Sequence, residues 1–195
     1  MTPAIGGEFV PSGGVLFKDD FSDPGSGWMQ GEDEYGKTEY FDGSFRILVN
    51  ADVTGKISIP RLFFKDVIIE VDATKVAGAD DNDFGVICRY QDENNFYFFE
   101  ISSDGYYSIG KYKENQLELI GMQQMQTSDA IRQGQATNRI RATCIGSLLS
   151  LSVNGQKLIE VEDIDFPSGD VGLMAGTFET PGTDILFDNF TVIKP

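Results

Sequence analysis

Residues Asp83 to Lys113 read DFGVICRYQDENNFYFFEISSDGYYSIGKYK, three runs of aromatic and β-branched residues separated by two short polar breaks. In the first run Phe84, Val86, Cys88 and Tyr90 alternate with Gly85, Ile87, Arg89 and Gln91, the period of two that a strand with two different faces requires. The breaks Gln91-Asp92-Glu93-Asn94-Asn95 and Ser102-Ser103-Asp104-Gly105 are rich in Asn, Asp and Gly, which accept the positive φ of tight hairpins. The stretch therefore predicts a three-strand antiparallel meander. Its central run, Phe96 to Ile101, is apolar on nearly both faces, as suits a strand covered on both sides. Glu100 is the one charge in that run and needs a partner. Arg89, on the adjacent strand of the same hairpin, is the expected one; unpaired among aromatics, the carboxyl would have a raised pKa and could act as an acid.

The same reading extends outward in both directions. Val15 to Phe21 is a strand that ends in the turn cluster Ser22 to Gly27, after which Trp28 opens a second run. Asp42-Gly43-Ser44, between Thr38–Phe41 and Phe45–Val49, and Asn154-Gly155, between Leu148–Val153 and Lys157–Val161, are hairpin signals. Gly55–Pro60, Gln116–Met122, Asp170–Phe178 and Asp184–Ile193 add further strands. Asp66 to Thr74 sets Val67, Ile69, Val71 and Ala73 on one face against Ile68, Glu70, Asp72 and Thr74 on the other. Thr137 to Ile145 likewise places Ile140, Ala142 and Cys144 inward and Arg139, Arg141 and Thr143 outward. Ala77 to Asp83 reads as an acidic loop, and Ser128 to Ile131 is the one helical turn expected. Many strands with short connections predict an all-β fold, a two-sheet antiparallel jelly-roll β-sandwich. No Pro/Ser-rich linker divides residues 15–195, so they form one domain, whereas residues 1–14, with two Pro, four Gly and no period, read as a flexible linker or arm.

Fifteen basic and thirty-one acidic residues give a net charge of −16, and there is no histidine. Such a surface repels nucleic acid and anionic membranes, which are bound mainly through Lys and Arg. Without histidine, Ser-His-Asp and Cys-His nucleophiles are excluded, and a zinc or haem site is disfavoured. No stretch approaches the roughly 20 apolar residues of a membrane helix, so direct insertion is not expected. Met1 to Gly14 reads as a spacer behind an added start methionine, and a precursor with an export signal or lipid anchor is the expectation. Cys88 and Cys144 both fall on core-facing positions. If their strands are neighbours, a disulfide would contribute about 3–4 kcal/mol through chain entropy; otherwise they are two buried thiols acting as small hydrophobes. Both readings stay open at this point.

The succession DDFSDP, FGVICRYQDENNFYFFEISSDGYY, NRIRATCIG, LSLSVNG, GDVGLMAG and FDNFTV resembles the concanavalin A-like lectin/glucanase superfamily over about residues 15 to 194. Within it the chain looks most like laminin G-like modules and bacterial domains related to the three-keto-disaccharide hydrolase family. The resemblance implies a curved sandwich whose concave sheet often holds carbohydrate, in exported or surface-anchored proteins. It also implies a structural calcium tying the first strand to the last, for which Asp19, Asp20 and Asp188 stand in matching places. Glucanases of this superfamily carry catalytic carboxylates as E-x-D-x-x-E; here Glu70-Val-Asp72-Ala-Thr is followed by Lys75, so the acid/base partner of retaining hydrolysis is missing. Glu70 and Asp72 then read as a polar face paired with Arg89, Arg139 or Arg141.

Trp28, Tyr97 and the other tyrosines Tyr35, Tyr40, Tyr106 and Tyr107 could offer flat faces for sugar rings, although a lone tryptophan is more often core. The resulting expectation is a non-catalytic extracellular binding module for carbohydrate or another surface protein. Its ligand residues would be Trp28, Glu70, Asp72, Arg89, Tyr97, Glu100, Arg139 and Arg141. A glycoside-acting hydrolase and a structural or adhesion subunit are the alternatives.

Overall fold

The structure, a computed structural model, describes residues 10–195. The chain runs through sixteen strands: β1 (Val15–Asp19), β2 (Gly31–Asp33), β3 (Gly36–Phe41), β4 (Ser44–Val49), β5 (Thr54–Ser58), β6 (Val67–Ala77), β7 (Asn82–Asp92), β8 (Asn95–Ile101), β9 (Tyr106–Lys113), β10 (Gln116–Leu119), β11 (Gln126–Thr127), β12 (Thr137–Ile145), β13 (Leu148–Val153), β14 (Gln156–Glu162), β15 (Asp170–Thr177) and β16 (Thr183–Ile193). They form two antiparallel sheets. A nine-stranded sheet has the order β14-β13-β12-β6-β16-β4-β3-β2, with β1 also on β16; a seven-stranded sheet has the order β10-β9-β8-β7-β15-β5, with β11 also on β9. This is a jelly-roll sandwich. Each sheet mixes strands distant in sequence, so the two inner faces close over one shared core.

The period-two pattern decides which side chains fill that core. Val67, Ile69, Val71 and Ala73 of β6, with Ile140, Ala142 and Cys144 of β12, meet Phe84, Val86 and Cys88 of β7 and Tyr97, Phe99 and Ile101 of β8. Cys88 and Cys144 are bonded, which ties the seven-stranded sheet to the nine-stranded one across the core. The hairpins fall where their turn residues put them: Asp42 and Gly43 take φ of 50° and 76°, and Asn154 and Gly155 take 52° and 85°. Both pairs match the two left-handed residues of a type I′ turn.

Three local expectations change. Ser128 to Ile131 forms turns without a helix, because Ser128 Oγ accepts from the Ala130 amide and so competes with helical pairing. The short exposed strands β2 and β11 carry no alternating pattern and take their form from β3 and β9. Residues 1–9 of the expected arm lie outside the described residues. Its end, however, is docked: the Gly13 amide donates to Lys194 O at 2.8 Å, and the Lys194 amide returns to Gly14 O at 2.9 Å.

Candidate functional site

The outer face of the seven-stranded sheet is built by residues that the strand period turns away from the core. Register aligns Ile57, Met174, Gly85, Glu100 and Ser108 in one row across β5, β15, β7, β8 and β9. The next row is Gly172, Ile87, Phe98 and Gly110. Ile87, Phe96 and Phe98 form a second apolar cluster here, separate from the main core, joined by Ile57, Tyr90, Tyr112, Leu119 and Met174. Phe96 lies between Tyr90 and Tyr112, with ring centroids 5.7 Å and 5.1 Å away. Ile57, Tyr90, Phe96, Tyr112 and Met174 of this cluster line a depression of about 370 Å³, together with Met29, Lys56 and Glu93. A second depression, of about 940 Å³, lies toward the other end of the face among Val53, Ser102, Tyr106 and Phe178, with Asp81, Asp104 and Glu179.

Between the two depressions stand Asp83 and Glu100. Gly85 pairs with Glu100, and Asp83 lies two residues before Gly85 on the same face, which makes the two carboxylates diagonal cross-strand neighbours. Gly176 opposes Asp83, and a Cβ there would come within 2.7 Å of an Asp83 carboxylate oxygen; the glycine leaves the room the carboxylate occupies. Ser108 Oγ donates to Glu100 Oε1 at 2.5 Å. Burial raises the pKa of Glu100, and the charge of Asp83 raises it further against the Ser108 bond. Burial likewise raises Asp83. Burial, then the charges of Glu100 and Asp83, raises the Tyr112 phenol, so this ring shares their surroundings.

A carboxyl whose folded pKa lies above its unfolded value favours the folded state fully at low pH, and this stability is lost as pH rises through the folded value. For Glu100 the loss begins near 4.5, the ordinary glutamate value, and runs upward through neutrality. Thermal melts of a Glu100→Gln variant should therefore exceed wild type by about 3–6 °C at pH 8, equivalent to about 1–2 kcal/mol, and match it near pH 4.5. An equal difference at both pH values would contradict this account.

The residues expected from sequence are not brought together. Glu70, Asp72, Arg139 and Arg141 lie on the outer face of the nine-stranded sheet, on the far side of the sandwich from Glu100. There Arg139 reaches Glu70 at 2.9 Å and Asp72 at 3.2 Å, Arg141 binds Glu70, and Asn189 donates to Asp72 at 3.0 Å. Partial burial works the other way, but hydrogen bonds from Arg139 and Arg141 hold the Glu70 carboxyl below its ordinary range. These groups saturate one another. Lys75, in the position a glucanase would fill with glutamate, is buried and bound to Asp80.

Trp28 is core, not a sugar platform. It is 4% exposed, packs 5.3 Å from Phe21 and 4.9 Å from Phe190, and donates Nε1–H to Asp19 at 2.9 Å. Tyr97 also faces inward, because it pairs with Cys88 in the register that points both into the sandwich. Its hydroxyl donates to Asp163 at 2.5 Å and accepts from the Phe166 amide.

Arg89 does not pair with Glu100. A bulge in β7 between Cys88 and Asp92 gives Arg89 a φ of 53° and aims its guanidinium at Lys65 O, Phe166 O and Asp66. The same bulge turns Tyr90 onto the outer face. Glu100 therefore has a serine hydroxyl where an arginine was expected.

The three aspartates expected to hold calcium are engaged by protein donors in this structure. Asp19 already accepts from the Phe21 amide, Ser26 Oγ and Trp28 Nε1; Asp20 accepts from Ser22; Asp188 accepts from the Asn189 amide. Among the described residues no group of three or more carboxylate, Cys or His side chains could hold a metal ion.

The residues that sequence reasoning missed are Asp83, Ser108, Phe96, Tyr112, Ile57 and Met174. Asp83 reads as part of an acidic loop. Only the hairpin register, with Gly85 opposite Glu100, reveals that it shares a face with that residue.

An antiparallel two-sheet jelly roll with this strand order is a concanavalin A-like fold. Among solved structures the chain is similar to the carbohydrate-binding module CBM66 from Bacillus subtilis, with a TM-score of 0.70 at 15% identity over 87% of this chain and 96% of that one. It is also similar to a protein of unknown function with a galectin-like fold from Bacillus subtilis, TM-score 0.67 at 11% identity, over 95% and 98% of the two chains. A third is the β-glucanase of Bacillus licheniformis, TM-score 0.65 at 10% identity, over 92% and 98%. No family model matches the chain, and no curated protein does.

Proposed function

We propose that this chain is a non-catalytic carbohydrate-binding module of a secreted or surface-attached protein, and that the outer face of its seven-stranded sheet takes the ligand. The observation that carries the reading is the depression walled by Tyr90, Phe96 and Tyr112, with charged groups at its rim. Flat apolar faces with polar tips suit a sugar ring, whose CH surface stacks while its hydroxyls hydrogen-bond. Similarity in fold to a carbohydrate-binding module and to a β-glucanase is in keeping with it. The inter-sheet disulfide accords with an oxidising compartment.

A glycan array read with wild type and a Tyr112→Ala variant tests the site. Removing the ring should weaken whatever glycan binds by about tenfold or more. Undiminished binding by Tyr112→Ala would place the ligand elsewhere.

Hydrolysis is the second reading, and one observation favours it: Asp83 and Glu100 are two carboxylates on one face, both with raised pKa. Release of reducing sugar that disappears in Glu100→Gln would decide for it.

A further inference from the structure

Two carboxylate pairs on opposite outer faces of the sandwich are treated in opposite ways. Glu70 and Asp72 are matched by Arg139 and Arg141. Asp83 and Glu100 have no basic partner among the described residues. Glu100 is only 8% exposed; one of its oxygens takes the Ser108 hydroxyl, and the other receives no protein donor. The cations of neighbouring elements are engaged elsewhere: Lys56 with Asp33 at 2.7 Å, Lys111 with Asp163 and Asp165 at 2.5 and 2.6 Å, and Arg89 with two backbone carbonyls and Asp66. A buried carboxylate without a counter-charge is costly, and the sandwich has arginines that could have served.

Resting on the carbohydrate reading above, we propose that this face selects oligosaccharides bearing a free protonated amine, the ammonium group lying between Asp83 and Glu100 and a neighbouring ring of the same ligand against Tyr112 and Phe96. The chemistry favours an organic cation over a metal. Calcium requires six to eight oxygens, whereas this pair is bordered by Gly85, Met174, Phe98 and Tyr112, which offer few. An ammonium needs only two or three acceptors and gains further from an aromatic face. A neutral hydroxyl donates one hydrogen bond and leaves the charge standing. Asp81, Asp104 and Glu179 at the second depression continue the negative face for further amines of an oligosaccharide. The net charge of −16 draws such a ligand inward.

The test is isothermal titration at pH 7, above the value of about 6 to which burial raises Asp83, with three probes: fully deacetylated chitotriose, N-acetylated chitotriose and cellotriose. The deacetylated trimer should bind at least about tenfold more tightly than either neutral trimer. That preference should fall to near unity in Glu100→Gln and in Asp83→Asn, the second variant guarding against a folding defect in the first. It should persist in Glu162→Gln, which removes the same charge from an exposed site on the other sheet.

Equal affinity for all three trimers would overturn the amine proposal and leave the carbohydrate reading standing. So would a preference that survives both site variants, because it would then follow net charge alone. Binding of none of the trimers would also overturn the amine proposal, as would equally tight binding of trilysine, titrated as a control without any sugar; the glycan array tests the carbohydrate reading separately.

Discussion

Replacing Cys88 and Cys144 together by alanine is expected to destabilise the fold by about 3–4 kcal/mol and to lower its melting temperature by roughly 10 °C. The bond closes a loop of 56 residues, and opening it frees the unfolded chain to adopt conformations that the cross-link forbids. It also joins β7 to β12, strands of different sheets that share no backbone hydrogen bond. Packing of the two inner faces must then hold the sheets together alone. Denaturant unfolding of oxidised protein, reduced protein and the double variant separates the causes. Reduction keeps both sulfurs in the core, so the reduced protein should show most of the loss, and the variant somewhat more through the volume it leaves empty. A shift below about 1 kcal/mol on reduction would show that sheet packing alone fixes the sandwich.

Much of this architecture was legible because strand period and hairpin chemistry are local. Thr137–Ile145 and Leu148–Val153 fall where alternation and Asn154-Gly155 place them. The pairing of Glu70 and Asp72 with Arg139 and Arg141 could also be anticipated, since all four occupy the polar positions of strands whose other face is core. What could not be read was which sheet each strand joins. That depends on non-local pairing, and it separates Glu70 and Asp72 from Glu100 by the whole thickness of the sandwich. The acidic pair was hidden for a similar reason: Asp83 and Glu100 are far apart in sequence and meet only through register. Trp28 was ambiguous by type, because its ring suits a sugar as well as it suits Phe21, Phe45 and Phe190; the acceptor for its N–H, Asp19, decides for the core.

The bulge at Arg89 is the point where alternation misleads, and it carries the second large expected effect. Continued regularly, β7 would send Arg89 outward opposite Phe96, onto the face that carries Glu100. Instead Arg89 is buried with φ 53°, and its guanidinium donates to Lys65 O at 3.1 Å, Phe166 O at 2.9 Å and Asp66 at 3.2 Å. It thereby fastens the segment before β6 and the segment before β15 to the end of β7. Gly169 completes the junction: a Cβ there would come within 2.5 Å of the Arg89 backbone, so the two segments can approach only at a glycine.

An Arg89→Met variant keeps an unbranched side chain but leaves the buried Phe166 carbonyl and the part-buried Lys65 carbonyl without their donor, while Asp66 keeps the Gly146 amide and loses its counter-charge. It should lose about 3 kcal/mol or more, at roughly 1–3 kcal/mol for each unsatisfied group. Arg89→Lys should recover only part of this, since one ammonium cannot reproduce the planar fork that reaches three acceptors. Because the bulge also delivers Tyr90 to the aromatic depression, Arg89→Met should weaken glycan binding in step with its loss of stability, although Arg89 touches no part of that depression. Chemical denaturation and glycan titration on the same samples check both. A destabilised variant with full affinity would uncouple the bulge from the site, and a variant within about 1 kcal/mol of wild type would show that the fork is dispensable.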